Sequence, residues 1–163
     1  RIENVVINYR YAAGLIEDKL VNYPELRQIN PQGNLKRKKI IESLDQLIQE
    51  IARNKKNVFV IRPIPELPKH INTLLMDTYR QGGDVNNIKG TSKEYYYKRN
   101  EIILNHFEKT KYPTNVIFID PAKHSCDKSN CWAIKQGVPL YFDDDHLSVL
   151  GASPIANEII SYL

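Results

Sequence analysis

The chain has 163 residues, of which 42% are hydrophobic and 26% are charged, and its formal net charge is +4. This length suffices for a single domain with its own core, and no apolar run approaches the roughly 20 residues that a membrane-spanning helix needs. The positive charge is mild and mostly scattered, so we expect no nucleic-acid partner.

The first predicted element is a buried strand over residues 2–8, which form a β-branched apolar run. The sequence opens on this run with neither a start methionine nor a signal peptide, so we expect an N-terminally truncated domain. A basic run at residues 36–39 precedes an amphipathic helix, whose apolar stripe is Ile40, Ile41, Leu44, Leu47, Ile48 and Ile51. The basic run is either a contact for an anionic polymer or, as we favour, the solvated first turn of that helix.

Two further buried strands are predicted over residues 57–61 and 115–120. The first of them ends at residues 62–65, where alternating prolines cannot continue a central strand and indicate an ordered loop. Residues 91–94 match a capping box and predict the start of a helix. A closing helix is predicted to begin with Ser153 as its N-cap.

Continuously apolar strands that alternate with amphipathic helices predict a parallel sheet covered by helices on both faces. The fold class is therefore α/β, a three-layer sandwich, in a single domain over residues 1–163. Ligands of such sheets bind beyond the carboxyl ends of the strands. The polar residues at those ends are the candidate site residues: Asn8, Arg10, Arg62, Asp120 and residues 143–146.

Two cysteines, Cys126 and Cys131, lie in a loop-like segment with four residues between them. A disulfide across so short a loop is geometrically feasible and implies an oxidising compartment. A metal pair assisted by His124 is a competing interpretation, although zinc usually has four ligands at tighter spacing. Two free thiols are the third possibility. We favour the disulfide and expect no metal site.

The chemically most informative segment is Asp143-Asp144-Asp145-His146, which precedes the closing helix. A carboxylate three residues before a histidine can accept from one ring nitrogen, so that the other nitrogen can act as a general base for a hydroxyl nucleophile. Asp143 has this spacing, whereas Asp144 and Asp145 are predicted to be exposed or to cap the helix. The spacing alone also fits an acidic helix start or a calcium loop, although three contiguous acids lack the alternating ligands of an EF-hand.

Residues 140–152 resemble the C-terminal motif of SGNH-fold hydrolases, in particular the SGNH domains fused to bacterial integral-membrane O-acyltransferases. Residues 2–12 resemble the family's central strand, which ends in an Arg–aromatic pair. Residues 58–66 resemble its strand running into a Pro-x-Pro-Glu loop, and residues 120–131 resemble its cysteine-bearing loop. The resemblance covers essentially the whole chain and implies an SGNH (flavodoxin-like) fold that lacks its first strand region.

This resemblance implies that His146 is the catalytic base and that Asp143 is its orienting partner. The family's serine nucleophile lies in a Gly-Asp-Ser motif, which this sequence does not contain, so the nucleophile is expected outside the chain. The family's third block contributes to the oxyanion hole and would fall at residues 8–10. There Arg10 or Asn8 could replace the usual donor, and a structural salt bridge is the alternative role of Arg10.

Other polar residues have weaker claims to a role in the site. Arg62 and Glu66 flank the proline loop and are either substrate contacts or solvated charges, of which the second is the commoner case. His70 and His106 lie on predicted helices without an acidic partner at catalytic spacing, and we interpret them as structural or surface residues.

The resemblance implies an O-acyltransferase on the extracytoplasmic (periplasmic) side of the bacterial inner membrane. It would transfer an acetyl group to a hydroxyl of a cell-surface glycan such as lipopolysaccharide O-antigen or peptidoglycan. Its partners would be the glycan acceptor and a membrane-embedded acyltransferase domain in the same or an adjacent chain. Acetyl-CoA would be the ultimate acyl donor, with no cofactor bound by this domain. An SGNH esterase acting on acylated carbohydrate and a catalytically silent glycan-binding module are the alternatives.

Overall fold

The computed structural model describes residues 2–16, 21–26 and 29–163. The strands are β1 (Asn4–Ile7), β2 (Asn57–Ile61), β3 (Ile88–Ser92), β4 (Val116–Ile119), β5 (Asn130–Lys135) and β6 (Val138–Pro139). The helices are α1 (Tyr11–Leu15), α2 (Asn34–Asn54), α3 (Ile71–Arg80), α4 (Lys93–Arg99), α5 (Glu101–Lys109), α6 (Ala122–Ser125) and α7 (Val149–Ile160), and a 3-10 turn spans Pro31–Gly33. Among the helices of these described ranges, none combines the length with the apolar character that crossing a bilayer requires.

A parallel sheet with the strand order β1–β2–β4 forms the centre of the fold. Side chains alternate between its two faces, so that Val58 and Val60 of β2 join one apolar cluster while Phe59 and Ile61 join another. Helices α1, α2 and α5 cover the first face with Tyr11, Leu15, Ile48, Ala52, Ile103 and Phe107. Helix α7 covers the second face through Ile155. The predicted α/β fold, a parallel sheet with helices on both faces, is confirmed.

Strand β1 departs from the prediction of a buried strand. It pairs with β2 on one side and has no other strand partner among the described residues. Val6 is consequently 52% exposed, although its sequence neighbours are as apolar as those of the fully buried β2. A continuous apolar run indicates that side chains can pack on both faces, but it does not tell an edge strand from a central one.

A second, antiparallel sheet with the order β3–β5–β6 was not predicted. The pairing of β3 with β5 contains register shifts, which remove the strict alternation by which a strand is recognised in a sequence. Gly90 lies in the middle of β3, where a Cβ atom would come within 3.0 Å of the Cys131 carbonyl oxygen. Glycine is disfavoured inside strands, but here the close approach of β5 leaves no room for a side chain.

Cys126 and Cys131 form the disulfide that the sequence analysis favoured. His124 does not assist them in binding a metal, because its Nε2 lies 2.7 Å from a carboxylate oxygen of Glu158 on α7. The disulfide and this ion pair both lie next to α6, the short helix that follows β4. They tie the segment after β4 to β5 on one side and to α7 on the other.

Two helix starts differ from their predicted positions. The N-cap of α4 is Ser92, one residue after the predicted cap, and its hydroxyl accepts from the backbone N–H of Tyr95 at 3.1 Å. Helix α7 begins after Ser148, whose hydroxyl accepts from the Gly151 N–H at 3.0 Å, so Pro154 lies inside the helix. The Ser153 hydroxyl donates instead to the Val149 carbonyl at 2.8 Å. A Ser-Pro pair is typical of a helix start, but here Ser148 takes that place one turn earlier.

The basic run at residues 36–39 lies in the first turns of α2. Its Arg37 is buried, and the guanidinium donates to the Asn30 carbonyl at 2.7 Å. The interpretation of the run as the first turn of a helix is correct in position. One of its four cations nevertheless serves a structural purpose and is not solvated.

Candidate active site

The candidate site lies beyond the carboxyl ends of β1 and β2, where three segments meet. Arg10 follows β1 as the N-cap residue of α1. The loop of residues 62–66 leaves β2, and the loop of residues 143–146 precedes α7. This is the edge at which parallel α/β sheets bind their ligands, as the sequence analysis expected.

Side-chain hydroxyls hold the proline loop after β2 in place. Its prolines have no backbone N–H group, so the loop does not continue the sheet. Its backbone carbonyls therefore pair with side-chain donors. Tyr96 donates to the Pro63 carbonyl at 2.9 Å, and Tyr141 donates to the Pro65 carbonyl. The Thr91 hydroxyl lies 3.3 Å from the Glu66 carbonyl oxygen. The loop is therefore ordered, and it presents Glu66 at a fixed position.

Backbone hydrogen bonds anchor the acidic loop to the same region. The Leu67 N–H donates to the Asp144 carbonyl at 2.7 Å, and the Phe142 N–H donates to the His146 carbonyl at 2.8 Å. Within the loop, Oδ1 of Asp143 accepts from the backbone N–H groups of Asp145 at 2.9 Å and of His146 at 2.7 Å. Asp143 thus closes its own turn, an arrangement for which aspartate is well suited.

The structure brings Asp143 and His146 together as a pair. The second oxygen of Asp143, Oδ2, lies 2.8 Å from Nδ1 of His146. The histidine side chain is 73% exposed, whereas that of Asp143 is 24% exposed. A ring held at Nδ1 keeps Nε2 for an external partner, which is the arrangement that a general base requires.

The charges around the pair shift the pKa values of both groups. Desolvation by itself would raise the pKa of the Asp143 carboxyl, but the hydrogen bonds from the backbone N–H groups of His146 and Asp145 and from the His146 ring hold it well below its usual range. The hydrogen bond that the His146 ring donates to Asp143, followed by the charges of Asp145 and Asp143, raises the pKa of His146 above its usual value. The pair is thus built to stabilise an imidazolium.

Asp145 also faces the His146 ring, which the sequence analysis did not predict. Its Oδ1 lies 3.1 Å from Nδ1 of His146, and its Oδ2 lies 2.7 Å from Nη1 of Arg10. With its side chain only 13% exposed, Asp145 is neither a solvated charge nor a helix cap. Burial raises the pKa of its carboxyl, an effect that Arg10 opposes. The sequence spacing does not predict this contact between Asp145 and the ring, because Asp145 directly precedes His146. Its side chain is held in place by Arg10, which is distant along the chain.

Glu66 is buried and paired, which corrects the interpretation of this residue as a solvated loop-end charge. Its Oε1 lies 2.6 Å from Nε of Arg10, and its Oε2 accepts from Nε of Arg99. The side chains of Glu66 and Arg99 are 6% and 3% exposed. Arg10 therefore makes the salt bridges that the sequence analysis gave as its alternative role, and its place in an oxyanion hole stays a prediction.

A cavity of about 700 Å³ opens beside these residues. Asn8, Arg10 and His146 lie on its wall, so the structure brings both oxyanion candidates to the same space as the predicted base. Apolar residues of β1 and α7 form another part of the wall, among them Val6, Ile155 and Ile159. The cavity wall thus combines polar and apolar side chains.

Two of the predicted candidates lie apart from this cavity. The guanidinium carbon of Arg62 lies 5.9 Å from the ring centre of Phe118, and Arg62 is not part of the described cavity wall. The Oδ1 of Asp120 accepts from the Ala122 N–H at 3.0 Å at the start of α6. The structure therefore provides no contact between either residue and the pair of Asp143 and His146.

No serine, threonine or cysteine lies on the described part of the cavity wall. Ser92 and Ser148 are N-caps, and Ser43 faces a different cavity between α1 and α2. The hydroxyls of Ser125, Ser153 and Ser161 donate to backbone carbonyls. A nucleophile of the predicted kind is thus not found among the described residues that line the site.

A second aspartate–histidine pair lies elsewhere in the molecule. Nε2 of His106 on α5 lies 2.9 Å and 3.0 Å from the two carboxylate oxygens of Asp45 on α2. The sequence analysis found no acidic partner for His106, because the two residues are far apart along the chain and meet only through helix packing. His106 does not line the described cavity, and the pair joins two helices on one face of the sheet.

The carboxylate oxygens of Asp143 and Asp145 and a ring nitrogen of His146 lie within 4.8 Å of one another. Such a spacing is compatible with a cation, but Asp145 already binds Arg10 and lies 3.1 Å from Nδ1 of His146, with which Asp143 forms a hydrogen bond. We therefore identify no metal ligands in this group. Its contacts are those of an acid–base pair.

The parallel α/β sheet, with a histidine–aspartate pair in a loop just before the last helix, defines a class of hydrolases and acyltransferases that use an acid–base pair with a hydroxyl nucleophile. Over residues 1–161 the chain matches the family described as "SGNH domain (fused to AT3 domains)", and it belongs to that family. The resemblance stated above is thereby confirmed. No curated protein and no solved structure matches the chain.

Membership sets the biochemical context of the site. SGNH domains are hydrolase-like and typically catalytic, and the fusion to AT3 (acyltransferase 3) domains implies an O-acyltransferase context. It also implies association with a membrane acyltransferase domain.

Proposed function

We infer that this chain supplies the acid–base half of an O-acyltransferase site, with His146 as the general base and Asp143 as its orienting partner. The observation that carries the proposal is the 2.8 Å contact between Asp143 and Nδ1 of His146 on a loop anchored at the cavity. The cavity wall also provides Asn8 and Arg10, whose donor groups suit a developing oxyanion. The serine that completes the site lies outside these 163 residues.

The reaction proceeds in two steps through this pair. In the first, Nε2 of His146 takes the proton of the serine hydroxyl as the oxygen attacks the acyl carbonyl, and the imidazolium returns the proton to the leaving group. In the second, the same nitrogen takes the proton of a sugar hydroxyl as the sugar oxygen attacks the acyl-serine ester. The imidazolium then returns this proton to the serine oxygen as the bond between acyl group and serine breaks. Asp143 holds the ring through Nδ1 and stabilises the imidazolium in both steps.

The proposed acyl group is acetyl, and the proposed acceptor is a hydroxyl of a cell-surface glycan such as lipopolysaccharide O-antigen or peptidoglycan. The AT3 fusion supports delivery of the acetyl group through the membrane domain, with acetyl-CoA as the ultimate donor and no cofactor bound here. The disulfide between Cys126 and Cys131 favours an oxidising compartment, and thus the extracytoplasmic side of the membrane.

A serine-reactive fluorophosphonate probe tests this assignment. In the longer protein that carries this chain, the probe is expected to label one serine outside the 163 residues, and His146→Ala is expected to abolish the labelling. His106→Ala is the matched control, because it removes a histidine with an aspartate partner that lies away from the described cavity. The isolated chain is expected to remain unlabelled and to leave a chromogenic acetyl ester intact. Labelling of a serine within the chain, lost in the His146 variant, would overturn the placement of the nucleophile.

A further inference from the structure

A buried carboxylate between two arginines lies directly behind the candidate site. Glu66 contacts Nε of Arg99 with one oxygen and Nε of Arg10 with the other. Glu66 comes from the loop after β2, Arg99 from the last turn of α4, and Arg10 from the start of α1. The desolvation of buried ion pairs can cost more than their mutual attraction returns, so this arrangement needs an explanation beyond the packing of three elements.

The arrangement leads from the interior to the histidine. The side chains of Arg99 and Glu66 are 3% and 6% exposed, those of Arg10 and Asp145 are 34% and 13% exposed, and that of His146 is 73% exposed. Asp145 connects Arg10 to His146, with one oxygen 2.7 Å from Nη1 of the arginine and the other 3.1 Å from Nδ1 of the histidine. Each link is a direct contact between charged or hydrogen-bonding atoms.

We propose that Arg99, Glu66 and Arg10 are positioning residues for His146, which they orient by fixing the carboxylate of Asp145 against its ring. Asp143 and Asp145 both approach Nδ1 of His146, so the ring direction depends on how firmly each acid is held. Asp143 is held by the backbone of its own turn, whereas Asp145 is held by Arg10. The relevance of this arrangement for catalysis rests on the proposed function.

The arrangement also sets how much negative charge the ring experiences. Asp143 and Asp145 favour the protonated ring, and Arg10 opposes them with its own positive charge. Arg10 also offsets part of the charge of Asp145. Asp144, the remaining charge of this loop, contributes to the field at Arg10 and Asp145. Glu66 in turn limits how far Arg10 neutralises Asp145, because it shares the same guanidinium. Substitutions of Arg10 and of Glu66 should therefore shift the titration of His146 in opposite directions.

Titration of the His146 ring by NMR in the isolated chain tests the proposal, since it needs no nucleophile and no substrate. Arg10→Met is expected to raise the midpoint, whereas Glu66→Gln and Asp145→Asn are expected to lower it, each by about half a pH unit for a charge removed at this range. Glu94→Gln is the matched control, because it removes an exposed acid whose cation partner is Lys98 on the same helix. This variant is expected to leave the His146 midpoint in place.

An unchanged His146 midpoint in folded Arg10→Met and Asp145→Asn would overturn the proposal, as would shifts of Arg10→Met and Glu66→Gln in the same direction. Glu66 is the most buried of the substituted residues, so if its variant does not fold, the decision rests on the two variants at Arg10 and Asp145. The two proposals fail separately. If the predicted shifts of the His146 midpoint are found but His146→Ala does not affect probe labelling, the positioning network stands and the acyltransferase role of His146 is refuted.

Discussion

At the scale of single residues, the two carboxylates next to His146 are held in different ways. Asp143 is fixed within its own turn by two backbone N–H groups, and Asp145 is fixed from outside by Arg10. Both contact the same ring nitrogen, so the loss of one acid leaves the other in place. This redundancy decides what each single substitution is expected to do.

Asp143→Asn in the longer protein is expected to lower the maximal rate by about 10- to 100-fold. This loss of rate is smaller than that expected on removal of a general base, because Asp145 still contacts the ring. The hydrogen bond that the His146 ring donates to Asp143 is the main cause of the raised pKa of His146. Its removal lowers that pKa, so the ring becomes neutral at lower pH. The acidic limb of the pH–rate profile is therefore expected to move to lower pH, and a limb that does not move would exclude Asp143 as the orienting partner.

At the scale of secondary-structure elements, the start of α7 positions the acidic loop. The Ser148 hydroxyl accepts from the Gly151 N–H and donates to the Pro139 carbonyl at 2.7 Å, which ties the helix to β6. A Cβ atom on Gly151 would lie 2.0 Å from the Leu140 carbonyl oxygen. The helix thus begins so close to the chain before the loop that a side chain does not fit.

Gly151→Ala is expected to destabilise the chain by about 1–3 kcal/mol, because the backbone of Leu140 or the first turn of α7 must shift. Gly14→Ala in α1 is the matched control, since its Cβ would meet nothing closer than 3.4 Å. That variant is expected to be neutral, or more stable by up to about 1 kcal/mol through helix propensity. Free energies of unfolding from urea titrations compare the two, and equal values would show that the contact at Gly151 is not a constraint.

At the scale of the whole molecule, the elements that the sequence predicted best are those whose signals are local. The alternation of β2 between two apolar faces and the spacing from Asp143 to His146 both lie within a few residues. The antiparallel sheet was missed because its register shifts and Gly90 remove the local pattern. The partner of Glu66 was missed because Arg99 is distant along the chain and meets it only in the folded protein.

The disulfide closes a short loop between the segment after β4 and β5 of the second sheet. Replacing Cys126 and Cys131 by serine is expected to lower the free energy of unfolding by about 2 kcal/mol, the chain-entropy value for so short a loop. Thiol titration of the unreduced, denatured chain is expected to find none. Two titratable thiols would instead contradict both the disulfide and the oxidising compartment.

The role of His146 as the base of a glycan O-acyltransferase can be tested in cells. The measurement is the O-acetyl content of the isolated surface glycan, by NMR, in strains whose only copy of the full-length protein carries a substitution. His146→Ala is expected to remove the acetyl groups that depend on this protein, whereas His106→Ala, at the other aspartate-paired histidine, is expected to retain them. Unchanged acetylation in the His146 variant, with the protein present at its normal level, would contradict this role.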